Sequence, residues 1–262
     1  MATILKYILP ALFLISLSSC SLPQAPKKVP SRSVQHVSDE DLLSQAETSM
    51  KFGDARGAMN LASKSIKNNP HNPRAYAVLA RSLALQNRLE DSARYYQRAL
   101  DLDLKDRNIY AELGSIYDVL GQYEKALKTY KKYLKKNPHD ADFHNQAGLS
   151  LVALKQYNKG YQHLEKACDL KPANLEYRKD LVYTLIENME LKKAEKLLKE
   201  MRQKNPRSID IMHLQVRLKL RQNRGDDAQK LLQEILALDP ENPDAKFLLK
   251  RIERLLRPKS NY

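Results

Sequence analysis

Residues 107–140 read RNIYAELGSIYDVLGQYEKALKTYKKYLKKNPHD, and this stretch decides the fold. Its first half sets Tyr110, Leu113, Gly114 and Tyr117 on one helical face, apolar or small residues recurring at steps of three, one and three. Gly121 supplies a turn, because a glycine leaves a helix through left-handed backbone without steric cost. The second half sets Tyr123, Ala126, Leu127, Tyr130, Tyr133 and Leu134 on an inner face before Pro138 closes the unit. A hairpin of two such helices has too little core to bury that face alone, so the pattern predicts further copies.

The copies lie at a step of 34. From Pro138 it reaches Pro172, Pro206 and Pro240 downstream, and Leu104 then Pro70 upstream. Proline occurs 12 times in 262 residues, so five prolines in six slots exclude coincidence. Small residues keep the same step: Ala58, Ser92, Ala126, Gly160, Ala194 and Ala228 in one slot, and Ala46, Ala80, Gly114 and Gly148 in another, where Val182 and Val216 follow. They let the two helices of a hairpin approach closely. The units run 39–72, 73–106, 107–140, 141–174, 175–208 and 209–242.

Helix starts reinforce the division. Ser38 precedes Asp39-Glu40-Asp41, a hydroxyl cap followed by acids at the positive end of the helix dipole. Asn72-Pro73 and Asn242-Pro243 pair a capping amide with proline at the first helical position. Residues 243–257 put Phe247, Leu248, Ile252, Leu255 and Leu256 on one stripe opposite lysines and arginines, which predicts a capping helix over the last hairpin. No segment reads as a strand. The fold class is all-α: one continuous solenoid of six helix-turn-helix repeats plus a C-terminal capping helix.

Tyr110, Leu113-Gly114, Tyr117, Ala126, Tyr130 and Pro138 resemble the tetratricopeptide repeat family, whose pattern sets an aromatic, Leu-Gly, Tyr, Ala, an aromatic, Ala and Pro at fixed offsets. Tyr133 replaces the last alanine, and repeats one, five and six depart further from the pattern. The resemblance implies a right-handed α-α superhelix with the first helix of each hairpin lining a concave groove. Its second, fifth and ninth positions would then show Arg74, Ala77, Arg81, Asn108, Ala111, Ser115, Asp142, Asn145, Leu149, Glu176, Lys179 and Tyr183. Of these, Arg74, Arg81, Asn108, Ser115, Asn145, Lys179 and Tyr183 are the candidate contacts for a peptide or protein partner. The family's carboxylate clamp needs lysine where this chain has Leu43, Ala77 and Ala111, and asparagine where it has Glu47, Arg81 and Ser115. The clamp is absent.

The first twenty residues, MATILKYILPALFLISLSSC, carry Lys6 and then an apolar run too short to span a bilayer, the form of a cleaved export signal over 1–19. Leu17-Ser18-Ser19-Cys20 resembles the bacterial lipobox, which implies lipidation of Cys20. Acyl chains at roughly 0.8 kcal/mol per buried methylene hold a protein at a membrane effectively permanently. Ser21 rather than aspartate after the cysteine resembles the default for outer-membrane delivery, on the periplasmic face. Residues 20–38 then read as the lipidated cysteine and a proline-containing tether reaching, at roughly 3.1 Å per residue, up to about 55 Å. Of two cysteines only Cys168 remains, a small hydrophobe of the second helix of repeat four by its neighbours Ala167 and Leu170.

The chain is strongly basic, +14 overall and +13 once residues 1–19 are removed. Lys125, Lys128, Lys131, Lys132, Lys135 and Lys136 fall on outward slots of one second helix, and Lys192, Lys193, Lys196 and Lys199 on those of another. Such runs solvate a face or meet anionic lipid or an acidic protein. Nucleic acid also fits the charge, but an export signal removes that compartment. The six histidines form no metal-ligand spacing, the seven glycines no phosphate loop, and no serine sits in a GxSxG turn. No catalytic residue, metal or cofactor is therefore assigned.

Lipobox, short tether and repeats to the end resemble pilus-biogenesis lipoproteins: the tight-adherence (Flp/Tad) pilus assembly lipoprotein and the type IV pilus pilotins. That resemblance implies a scaffold for a secretin or another pilus component. An adaptor for murein hydrolases is the alternative within the same class, and an enzyme with an unrecognised site the alternative from another.

Overall fold

A computed structural model describes residues 37–256; the export signal, Cys20 and the tether up to residue 36 lie outside the described residues. The described residues from Ser38 onward form one compact unit. The described residues fold into thirteen α-helices and no strand. First helices are α1 (Asp39–Lys51), α3 (Pro73–Leu85), α5 (Arg107–Val119), α7 (Ala141–Ala153), α9 (Leu175–Glu187) and α11 (Ile209–Arg221). Their partners are α2 (Ala55–Asn68), α4 (Leu89–Asp101), α6 (Tyr123–Leu134), α8 (Tyr157–Leu170), α10 (Leu191–Lys204) and α12 (Gly225–Leu238), followed by α13 (Pro243–Leu256).

Each first helix starts on a capping side chain. Ser38, Asn72, Asp106, Asp140, Asn174, Ser208 and Asn242 stand 34 apart, and each accepts a hydrogen bond from a backbone N–H of the first turn. The partner helices α4, α6, α8, α10 and α12 have no side-chain cap. All six second helices, α2 included with its Asp54 cap, follow a tight turn whose left-handed residue is Gly53, Asn87, Gly121, Lys155, Met189 or Asn223, one per repeat. The turn is closed by a bond five residues back, such as Gln122 N–H to the Tyr117 carbonyl at 2.8 Å. Leu104, which stands in the proline slot, has its own solution: Asp103 turns left-handed (φ 69°) and Leu104 packs against the core.

The small slots close each hairpin. Ala46, Ala58, Ala80, Ser92, Ala126, Val182, Ala194 and Ala228 are fully buried. A methyl group added at Gly114 would fall on the ring of Tyr130, and one at Gly148 would stand 2.7 Å from Leu164 Cγ. Core clusters run from α1 to α13 without a gap, as in a solenoid whose repeats bury one another's faces. Ala245 and Ile252 of α13 are buried on repeat six, with Leu248 and Leu249 partly so. Phe247 departs from the stripe read for it: it is 66% exposed and faces the inner side. No helix among the described residues is long and apolar enough to cross a membrane.

Candidate binding groove

Successive first helices lie side by side, and two clefts open along this inner row. The first, about 500 Å³, lies between α5 and α7 with Ala84 of α3 at its edge. Ala84, Ala111, Ser115 and Ile116 leave the space, and the buried rings of Tyr130 and Phe143 back it. Those rings belong to an aromatic cluster. Phe143 stacks on Tyr133 at 4.0 Å between centroids and meets Tyr130 edge-on at 5.8 Å, while Tyr133 touches Tyr110 at 5.6 Å. Tyr133, the departure from the repeat pattern, thus ties repeat three to repeat four.

Paired charges flank this cleft. Arg81 grips Glu112 with two nitrogens, the shorter contact 2.7 Å, and the buried Tyr96 hydroxyl donates to the same carboxylate. The Glu112 bonds hold the Arg81 guanidinium above its ordinary pKa despite burial. On the other side Arg107 donates to Asp140 at 2.8 Å and to Asp142 at 2.6 Å, and lies 5.3 Å over the Phe143 ring. Asp142 also accepts from Lys171 and Tyr177, which together with Arg107 pull its carboxyl down to about 2. With these charges already paired, the cleft itself presents an apolar surface.

The second cleft, about 880 Å³, is lined by α9, α11 and α13. Here Lys179 pairs with Asp210 at 2.7 Å and Glu176 at 2.8 Å. Arg217 covers the Tyr183 ring at 4.5 Å and donates to Glu187 at 2.9 Å. Leu214, Leu220, Phe247 and Arg251 complete the wall.

The seven candidate contacts therefore do not converge on one site. Ser115 lines the first cleft, Arg81 borders it through Glu112, and Lys179 and Tyr183 line the second. Arg74 pairs with Glu40 and Glu47 away from both clefts, and Asn108 is exposed outside them. Asn145 is only 5% exposed: its amide donates to Asp180 at 2.9 Å and its oxygen is buried without a partner. Burial raises the pKa of Asp180 in turn.

Glu112, Gln146 and Asp180 were missed, yet they occupy the sixth position of three successive first helices at the step of 34. Polar residues at that step on an otherwise apolar face are the signal that finds them. Among the described residues no group of three or more His, Cys, Asp or Glu is placed to hold a metal ion. Cys168 is half-buried, and burial pushes its thiol up to about 11, far from a reactive thiolate.

An all-α solenoid of 34-residue hairpins, open along its inner row, defines a repeat scaffold. The sequence profiles of the tetratricopeptide repeat match residues 43–106 and 213–253, and 83–146 and 151–218, and the chain belongs to that family. Members are typically non-enzymatic scaffolds that mediate protein–protein interaction. No curated protein matches the chain. Among solved structures, a tetratricopeptide repeat protein from Parabacteroides merdae superposes with TM-score 0.72 at 20% identity, covering 83% of this chain and 86% of that one. Pseudomonas aeruginosa pilF gives 0.61 at 16%, covering 81% and 97%. YrrB, a repeat protein with an unusual peptide-binding site, gives 0.58 at 23%, covering 72% and 97%. At these identities the likeness is one of fold.

Proposed function

We propose that this chain is a lipid-anchored scaffold of the outer membrane, facing the periplasm, that holds a protein partner by a peptide segment on its inner row. The observation that carries the binding reading is the first cleft. It is apolar, about 500 Å³, and flanked by the Arg81–Glu112 and Arg107–Asp142 pairs. A cleft of that size takes one or two large apolar side chains, while the flanking groups meet the backbone of an extended or helical segment. The anchor rests on Leu17-Ser18-Ser19-Cys20 and on Ser21. The role in assembling a pilus or secretion system, with a secretin or pilus component as partner, rests on the lipobox-tether-repeat layout. The fold shared with pilF agrees with it.

Two variants test the reading in the intact chain. Ser115→Trp fills the first cleft from an exposed position and is expected to abolish partner recovery from envelope extracts, with helicity and melting unchanged. Cys20→Ser is expected to stop incorporation of labelled fatty acid and release the protein from the outer membrane. Partner recovery that survives Ser115→Trp but is lost when Lys128, Lys131 and Lys135 are neutralised would move the protein site to the outer row.

A further inference from the structure

Charge is distributed unequally between the two rows of helices. The six first helices of the repeats carry nine basic and eleven acidic residues, close to balance. Their six partners carry eighteen basic and eleven acidic residues. The excess is concentrated on α6 and α10. On and just after α6, Lys125, Lys128, Lys131, Lys132, Lys135 and Lys136 are all exposed, with Glu124 the one exposed acid beside them. On α10, Lys192, Lys193, Lys196 and Lys199 are exposed. Between these helices α8 is neutral, exposing Lys159 and Lys166 beside Glu165 and Asp169, and Glu200 is the one exposed acid on α10.

Few of these lysines are held by a carboxylate, although Lys125, Lys132 and Lys193 lie over the rings of Tyr117, Tyr110 and Tyr161. Among the described residues, Lys128, Lys131, Lys132, Lys135 and Lys136 make no ion pair, nor do Lys192, Lys196 and Lys199; Lys193 alone pairs, with Glu190. The cations of the inner row differ. Arg74, Arg81, Arg107, Lys179, Arg217 and Arg221 are each held by a carboxylate. Most inner-row cations are thus matched by carboxylates; on the outer row Arg94, Lys193 and Arg202 are paired, while the other lysines named on α6 and α10 are not.

We propose that the outer face of α6 and α10 docks on an anionic phospholipid surface. Charge complementarity identifies the headgroup, since unpaired lysines on an exposed helical face are attracted to a negatively charged leaflet. Apolar content argues for a lipid surface over a protein. A protein interface concentrates its affinity in buried aromatic or aliphatic anchors. Among the described residues the large exposed apolar ones are Phe52, Leu85, Tyr95, Val119, Met189, Leu220, Leu238 and Phe247, and none belongs to α6 or α10. Lysine also suits this role better than arginine, being a strongly hydrated point charge without the planar fork that selects a particular carboxylate. The contact is peripheral, and it leaves the inner row turned away from the lipid and open to a partner.

Vesicle partitioning of the full-length chain tests this. The probes are vesicles of phosphatidylcholine alone and of phosphatidylcholine with phosphatidylglycerol. The readout is the ratio of the two partition coefficients, in which attachment by the N-terminal segment to either vesicle largely cancels. The native chain is expected to prefer the anionic vesicles, and added salt to erase the preference. Replacing Lys128, Lys131, Lys132 and Lys135 by glutamine should lower the ratio by at least about tenfold, while arginine at the same four positions should keep it. Circular dichroism checks that both variants remain folded. The proposal is overturned if the glutamine variant keeps the native ratio, or if the arginine variant loses it. It is also overturned if polyglutamate or duplex DNA binds this face more tightly than anionic vesicles at equal ionic strength.

Discussion

Repeats two and three solve the packing of their two helices differently from repeats five and six. In the first pair a buried tyrosine on the second helix sits over a minimal residue on the first: Tyr96 with Ala80, Tyr130 with Gly114. In the second pair the same slots hold Leu198 with Val182 and Leu232 with Val216. The volume is shared differently, and so is the polarity. Each tyrosine brings a hydroxyl into the core, which must donate there: Tyr96 to Glu112 of the next repeat, Tyr130 to Asp118 at 2.8 Å. Asp118 also accepts from Ser150 of repeat four at 2.8 Å. Repeats two to four are thereby bound by half-buried hydrogen bonds. Repeats five and six are linked by more exposed pairs such as Lys219–Glu195 and Arg202–Glu234. The first cleft stands in the half built on tyrosines, where Tyr130 and small residues leave room beside it.

The comparison breaks most severely at Gly114. Gly114→Val imports the residue of repeat five but drives its side chain into the Tyr130 ring, and should cost about 3 kcal/mol in chemical denaturation. Adding Tyr130→Leu rebuilds the pair found in repeat five, so the double variant should lose at least about 1 kcal/mol less than the two single losses combined. Additive losses would show that the two slots are not coupled.

Asp118→Ala comes next. It strands the Tyr130 hydroxyl and removes the link to Ser150, for an expected loss of about 2 kcal/mol. Glu195→Gln in repeat five should cost less than about 1 kcal/mol, and less still in high salt. Equal losses would erase the distinction between the two halves.

Acid should also weaken repeat four. His163 Nδ1 stands 3.1 Å from His144 Nδ1, and the other ring nitrogen of His144 donates to the Pro138 carbonyl at 3.1 Å. His163 therefore donates from Nδ1 to His144. Burial, with His144 and Lys131 adding to it, lowers the His163 pKa from 6.5 to about 4. The unfolded chain then takes up the proton first, so this contribution to stability is whole above pH 6.5 and fades as pH falls towards 4. His163→Asn should flatten the melting temperature across that window, and an unchanged slope would remove His163 as its source.

The smallest effects lie in the turns. Gly121→Ala strains a left-handed residue (φ 67°) and should cost about 1 kcal/mol, whereas Met189→Gly relieves one (φ 61°) and should gain about as much.

Periodicity made the hairpins legible because each depends on residues within one repeat. The capping role of Ser38, Asn72 and Asn242 could be read directly. Asp106, Asp140, Asn174 and Ser208 stand at the same step but carry at most one first-turn acid and no following proline, a weaker local signal than Asp39-Glu40-Asp41, Pro73 or Pro243. Turn residues were legible where glycine stands, at Gly121, and not at Lys155 or Met189, whose side chains disfavour the backbone they adopt. The groove was less legible, because its side chains are paired between repeats. Arg81 reaches Glu112 and Asn145 reaches Asp180, partners 31 and 35 residues away. Position within a helix therefore located the inner row, while the state of each side chain depended on the repeat beside it. Phe247 shows the same limit at the C-terminal end. It lies on the apolar stripe of α13, but the core there is already closed by Ala245 and Ile252.

The central claim is that the inner row holds the protein partner. A photo-crosslinking amino acid placed singly at position 115, beside the first cleft, and at position 128, on the outer face of α6, compares the two rows in living cells. A discrete protein adduct is expected from position 115 and none from position 128. A protein adduct from position 128 with none from position 115 would contradict that claim.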